Sequence, residues 1–484
     1  MKCKYHRDTL RAVTMERRNI MHTRPSSRAA LPVTEGPILR RMMLLAAPMM
    51  GSQALQMLYN LTDMFWLGRL GSEEVAATGA AGLYLWLSVA FMLLASSGAS
   101  IGVSQSLGAG RVEKAKNYTQ TAVFISLTLG VIVALLMFFF RYPMADFFRF
   151  QEQNVTSLTV DYLAIAVTAM PVTYLTATLT AVFIASGNSR TPFLCNMVGM
   201  IINMTLDPLF IFTFRMGVPG AAYATIIGQM VVCIILAIAI KKGKNRPFDT
   251  LKLIAVPSRQ DVQWILKKTI PIGAESFLFT ILVMITSRRE AFFGADAVAM
   301  SRVGSQIESL TWLVGSAFGS ALITFIGQNY GAQKWRRILK SYKTATWAMF
   351  GYGAFVTLLL AVPGKYIFGL FLPDPALIER SVPYLRILAI CQIPLCMEAV
   401  ASNTFRGLGK TTTPAVINTV CNIIRVPLVY LLSGGALGLS GVWIGITACA
   451  CLKGVWSYTQ YYFTQHRKMK HKLEETNANL ASTG

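Results

Sequence analysis

Between His22 and His466 the sequence contains no histidine; the four it has, His6, His22, His466 and His471, lie near the ends of the chain. The side chain that most readily exchanges a proton near neutral pH is thus missing from the body of the protein, which excludes a histidine relay. Charge is scarce as well. Asp, Glu, Lys and Arg make up 14% of the 484 residues, against about 25% in an ordinary soluble chain. Eight cysteines occur without a CxxC spacing. All but Cys3 (Cys195, Cys233, Cys391, Cys396, Cys421, Cys449 and Cys451) sit in apolar stretches and read as small core residues, not as a redox or zinc motif. Without a histidine or a metal-ligand cluster in its apolar body, the chain lacks the catalytic set of an intramembrane enzyme. The first 36 residues are basic and polar, with no apolar core of signal-peptide length.

What the chain has in abundance is apolar sequence: 54% hydrophobic residues and a mean hydropathy of +0.49. Apolar runs long enough to cross a bilayer recur throughout, with "GVIVALLMFFF" and "GQMVVCIILAIAI" as two of their cores. The expected class is an all-α polytopic membrane protein. The net charge of +23 is distributed accordingly. Basic residues cluster before residue 42, in 108–116, 241–252 and 331–343, and in "HRKMKHK", whereas "MGVPG" and "SGGALGLSG" are nearly neutral. This alternation follows the positive-inside rule, with both termini cytoplasmic and an even number of spans. Basic loops against anionic lipid account for the charge without nucleic acid.

The chain is internally repeated. Pro48 and Pro271, Gly71 and Gly294, Gln105 and Gln328, Gly108 and Gly331, and Pro171 and Pro394 all match at an offset of 223. "SRTP" ending at Pro192 and "TTTP" ending at Pro414 match at 222, and "GVPG" and "GLSG" at 221. Each half has room for six spans, so the expected fold has twelve transmembrane helices in two pseudo-symmetric six-helix lobes. Six spans return the chain to its starting side, which makes the repeat parallel and puts a substrate site between the halves. The expected domains are a disordered cytoplasmic leader 1–37, an N-lobe 38–241 with helices 1–6, and a cytoplasmic linker 242–262. A C-lobe 263–463 with helices 7–12 and a cytoplasmic tail 464–484 follow. The repeat also removes a decoy. "GLGKTTTP" lacks the earlier glycine of a phosphate loop, since Thr404 stands there, and reads as an interhelical turn.

Against this background the acids stand out. In "QALQMLYNLTDMFWLG", Gln53, Gln56, Asn60 and Asp63 follow helical spacing, which predicts one polar face on an apolar helix. An acid at mid-bilayer costs about 2.5–3.5 kcal/mol on insertion scales and so marks function by default. Asp207 has Asn203 one turn before it and Pro208 after it, and a proline frees a carbonyl on the preceding turn. Two carboxylates approaching inside one lobe require either a shared proton or a cation between them. Glu275 and Glu398, each four residues after a proline, are the candidate acids of a central cleft, able to neutralise a cationic substrate or exchange a proton. Glu308 shares a helix with Arg302, Glu290 follows Arg288 and Arg289 near a span end, and Arg425 and Lys453 are basic intruders in the second half. Pairing of Glu308 with Arg302 and an interfacial cluster at Glu290 are the structural alternatives. The 23 Met and 27 Phe read mainly as packing, with some lining a cavity for apolar substrates.

"LYNLTDMFWLGRLGSEEVAATG", "GVSQSLGAG", "NMTLDPLFIFTFRMGVPGAAYAT", "GSQIESLTWLVGSAFGSALITFIGQNYGA" and "FRGLGKTTTP" resemble the multidrug and toxic compound extrusion (MATE) family, with most likeness to its DinF-like branch. The resemblance spans about residues 38 to 463. It implies a V-shaped central cleft and antiport of cationic or amphipathic compounds against H+ or Na+, in a monomer of the bacterial inner membrane that works without a cofactor. Carried over residue by residue, it implies a coupling site of Asp63, Asn203, Asp207 and Thr225 with Tyr162 nearby. The first four would be the metal ligands if Na+ drives transport. It matches Glu275 to an acid on helix 7, and Glu398 only approximately to one on helix 10. Gln53, Gln56 and Asn60 are the expected polar lining of the cleft. A lipid-linked sugar flippase of the same superfamily is the alternative, for which a basic cleft is expected; a receptor or scaffold role leaves the intramembrane acids unexplained.

Overall fold

The structure, a computed structural model, describes residues 33–148, 153–243, 246–253, 255–362, 364–369 and 375–481. The long apolar runs form helices because lipid offers no partner to backbone N–H and C=O groups, which must then bond within their own segment. The first lobe contains α1 (Ile38–Gly68), α2 (Ser72–Gly108) and α3 (Val112–Phe139). Next, α4 runs from Gln153–Ala166 through a 3₁₀ turn, Val167–Ala169, into Met170–Ala185. The lobe ends with α5 (Arg190–Pro208) and α6 (Val218–Lys242). The second lobe repeats the order as α7 (Arg259–Ala291), α8 (Ala295–Gly331), α9 (Trp335–Ala361), α10, α11 (Thr412–Ser433) and α12 (Gly438–Tyr461). Here α10 is a pair, Ile378–Ala389 and Gln392–Gly407, bent by 41°. The breaks in α4 and α10 fall just ahead of Pro171 and Pro394, which correspond in the repeat.

Among the described residues ten helices are long and apolar enough to span a membrane, and the bent α10 makes eleven. The 31 residues of α1 extend about 46 Å at 1.5 Å per residue, ample for a bilayer. This helix is long enough to cross but is not among the spans that are also apolar enough, so among the described residues ten or eleven spans stand where twelve were expected.

Within the lobes α5 packs on α6 and α11 on α12. Between them α2 crosses both α7 and α8, while α1 lies against α8 as well as α5. The lobes approach closely at the C-terminal ends of α2 and α8. A Cβ on Gly108 would sit 2.0 Å from the Gln328 carbonyl oxygen, and one on Gly331 2.0 Å from that of Gln105, so only glycine fits at either place. Two symmetric hydrogen bonds tie the same ends: Gln105 Nε2 donates to the Gly407 carbonyl and Gln328 Nε2 to the Ala185 carbonyl, both at 2.8 Å. The glutamine and glycine pairs that carry the repeat in the sequence are therefore the pairs that close the molecule on its basic-loop side.

The described residues next to the two lobes pack against them. Residues 1–32 of the expected leader lie outside the described residues, but the segment just before α1 is clamped to the start of α9. Arg337 donates to the carbonyls of Val33, Glu35 and Gly36, and Lys334 to that of Thr34. Beyond α12 a π-helical turn, Tyr462–His466, leads into α13 (Arg467–Ala481). The buried Met469 joins the core around Tyr342 and Tyr461, and Lys472 caps the Trp335 ring at 4.6 Å.

Candidate functional site

The acid cluster of the first lobe is built on α1, α5 and α6. Asn203 and Asp207 are one turn apart on α5, are 2% and 0% exposed, and bond Asn203 Nδ2 to Asp207 Oδ1 at 3.2 Å. The small residues Gly199 and Gly228 allow α6 to pass close to this turn: a Cβ on Gly228 would lie 3.2 Å from Asn203 Cβ. Pro208 cannot donate to the preceding turn, and the helix answers with a π turn at Leu209–Thr213. Thr225 on α6 bonds the Ala221 carbonyl at 3.0 Å and shares a 2.9 Å hydrogen bond with the Tyr59 hydroxyl of α1. One turn beyond Tyr59 stands Asp63. The charges of Asp63 and Asp207 both act on Tyr59 and Tyr162, and that of Asp63 acts on Asp207, so these groups share one neighbourhood.

Three oxygens in this cluster are buried without a hydrogen-bond partner: Asp63 Oδ1, Asn203 Oδ1 and Asp207 Oδ2. An unpartnered buried oxygen is costly, and two carboxylates this close repel each other. A proton or a small hard cation relieves both penalties at once. The donor set is carboxylate, amide carbonyl and hydroxyl, which suits Na+ and not a thiolate- or imidazole-seeking metal. Among the described residues no group of three or more His, Cys, Asp and Glu is placed to hold a metal ion.

The structure thus brings together Asp63, Asn203, Asp207, Thr225 and Tyr162, and adds Tyr59, which the sequence reading missed. Its signal was present, since Tyr59 precedes Asp63 by four residues on the same helix.

The polar face of α1 is a broad arc whose two edges meet different neighbours. Positions 0, 3, 7 and 10 drift by about 80° from first to last at 100° per residue. Gln53 accordingly turns toward the other lobe and donates to Ser316 on α8 at 3.1 Å, whereas the carboxylate of Asp63 is turned into its own lobe. Gln56 and Gln53 line a cavity of about 290 Å³ together with Tyr59, Asn203 and Thr225. Asn60, expected in the cleft lining, is absent from the lining of both this and the central cavity; its Oδ1 accepts from Gln56 at 3.2 Å on the exposed side of the helix.

The central cavity, about 630 Å³, lies between the lobes and is lined by both, including Glu275 and Glu398. Neither acid is free. Glu275 is bound by Arg406, at 3.0 and 3.2 Å to its two oxygens, and by Asn418 at 2.6 Å. Glu398 accepts from Ser402 at 2.6 Å and from the same Asn418 at 3.1 Å. The expected mostly acidic cleft is therefore mixed, because Arg406 and Lys453 line it too. Arg406 escaped the sequence reading because it ends α10 in a stretch that reads as a turn. Deeper in the second lobe, Glu290 meets Ser301 and the field of Arg425, and Arg289 bonds Ser433 at 2.7 Å. Glu308 faces the Trp312 indole and the charges of Lys453 and Arg425. The Arg302 side chain, its expected partner, lies outside the described residues.

Comparison with known proteins agrees with this architecture. The family model described as MatE matches residues 48–209 and 271–431, one block in each lobe. The chain is 27% identical over 429 residues to a probable multidrug resistance protein NorM of Thermotoga maritima, covering 86% of this chain and 91% of that one. It is 24% identical over 417 residues to the multidrug export protein MepA of Staphylococcus aureus, covering 84% and 90%. A solved structure of an outward-facing multidrug resistance MATE family transporter of the MOP superfamily superposes with a TM-score of 0.82. At 22% identity over 91% of this chain and 98% of that one, that likeness speaks for the fold.

Proposed function

Since the chain belongs to the MatE family, as the match of both lobes establishes, we propose that it is a secondary active multidrug efflux antiporter. It exports amphipathic organic compounds through the central cavity and takes H+ or Na+ inward in exchange. The observation that carries the coupling is the acid pair of half-buried Asp63 and buried Asp207, with three buried, unpartnered oxygens in a single lobe. With the lobes closed on the basic-loop side, the ion enters among Asp63, Asn203, Asp207 and Thr225, where Tyr59 and Tyr162 border it. It changes how α1 packs on α5 and α6, and so the shape of the cavity wall that Gln53 and Gln56 share. A bound ion shifts the two lobe arrangements only by its difference in affinity between them, and this difference is the coupling energy. The protein acts as a monomer in the bacterial inner membrane, with both termini cytoplasmic and basic loops against anionic lipid.

Proteoliposomes loaded with a fluorescent cationic dye and driven in turn by a pH gradient and a Na+ gradient test this. One gradient drives flux, and Asp63→Asn abolishes it while dye binding persists. Undiminished gradient-driven flux in Asp63→Asn would remove the proposal.

A further inference from the structure

The charges on and just behind the second-lobe wall of the central cavity can be accounted for group by group. Glu275 is consumed by Arg406 and Asn418, Glu398 by Ser402 and Asn418, and Glu308 is turned to the indole N–H of Trp312. Lys453 remains. It is 8% exposed, lines the cavity from α12, and has no carboxylate within ion-pair distance among the described residues. Its one close partner is the Trp312 ring, 5.8 Å from Nζ, and Glu308 reaches it only through its field. An ammonium carries three donors, and a buried one without an acceptor is strongly penalised. Nζ itself is not among the buried atoms left without a partner, so it opens to the cavity and takes its acceptor from there.

The charge is not a demand of the fold. At the offset of 221 that aligns "GVPG" with "GLSG", Lys453 corresponds to Val232, which packs against Gly199 in the first lobe. What surrounds Lys453 is suited to an aromatic ligand: Trp312 is 48% exposed, and Phe279 and Asn422 line the same cavity.

We propose that Lys453 is the centre of a substrate subsite that binds a carboxylate on an aromatic, amphipathic compound, with the ring lying against Trp312. The proposal rests on the central cavity being the transport path, and it extends the substrate class from cations to amphipathic compounds that also bear an anionic group.

The test uses the purified full-length chain and two rhodamines that share a fluorophore, one with a free benzoate and the other its methyl ester. Fluorescence anisotropy gives their affinity ratio, for which the wild type favours the acid by about tenfold, the value of one charge-assisted hydrogen bond. In Lys453→Gln the ratio collapses to about one, and in Lys453→Arg the preference for the acid survives. A wild-type ratio at or below one overturns the proposal without any variant; it would mean that water alone solvates Lys453. An unchanged ratio in a monodisperse Lys453→Gln overturns it as well. Binding requires no gradient, so loss of gradient-driven flux with the acid preference intact would count against the antiport reading and not against this subsite.

Discussion

The two symmetric glutamine bonds allow a quantitative test of what holds the lobes together. Gln328 is 7% exposed, and both amides donate to carbonyls at helix ends where the lobes meet. Replacing Gln105 and Gln328 by Leu removes two bonds worth about 1 kcal/mol each and leaves two carbonyls unpaired at about 1–3 kcal/mol apiece while the ends stay closed. Separation of the lobes lets water reach those carbonyls, so the penalty applies to the closed arrangement alone. Allowing for partial hydration, the double variant shifts the equilibrium toward the open form by about 2–4 kcal/mol, or about 30- to 1000-fold. Spin labels on Lys114 of α3 and Lys340 of α9, one on each lobe, report the separation by pulsed electron resonance. The wild type shows a distribution dominated by short distances and the double variant one dominated by long distances, with each single variant between them. Bonds that merely decorate a contact fixed by Gly108 and Gly331 would leave the distribution unmoved, and that result would refute the reasoning.

Other consequences are equally direct. Arg406→Leu strands Glu275 in a site where the side chains are 22% and 13% exposed, so the loss of stability is about 2–3 kcal/mol, under the full penalty of a fully buried pair. Thermal unfolding should show it, and adding Glu275→Gln should restore most of it; strictly additive losses would contradict the pairing. Tyr59→Phe removes the hydroxyl from Thr225 and should weaken ion binding by about threefold to tenfold without abolishing it, read from ion-dependent quenching of the nearby Trp66. Gly199→Val should eliminate that quenching, because even a Cβ there lies 2.1 Å from Val232 Cγ2 and forces α5 from α6; retained quenching would show that the oxygens do not depend on this helix contact.

The fold was legible because its two determinants are written locally. Long apolar runs dictate helices, and an offset that holds near 223 over both halves dictates two lobes. The ion cluster was half legible. Asp63, Asn203 and Asp207 announce themselves as polar groups where lipid penalises them, and Asn203 and Asp207 share a face simply by being four apart. Tyr59 was overlooked because its only signal in the sequence, the spacing of four from Asp63, does not show that its hydroxyl meets Thr225.

The second lobe was read least well, for a physical reason. Whether an acid is available to a substrate depends on what neutralises it, and that partner is set by tertiary packing, not by sequence spacing. Glu275 and Arg406 are 131 residues apart, and Asn418, which bonds both Glu275 and Glu398, belongs to a third helix. A cleft counted from its acids alone therefore reads as negative, although packing consumes those acids and leaves Lys453 as the charge that faces the cavity with no ion-pair partner among the described residues. The same logic separates the lobes. In the first, Asp207 meets Asn203 and the acids have no base beside them among the described residues, so on the proposed antiport reading the balancing charge arrives as an ion. In the second it is built into the chain as Arg406, Arg425 and Lys453. On that reading, a duplicated scaffold with one lobe that takes up a mobile cation and one that carries its own charge responds to the ion on one side only, and this asymmetry would let a single binding event tilt one lobe against the other.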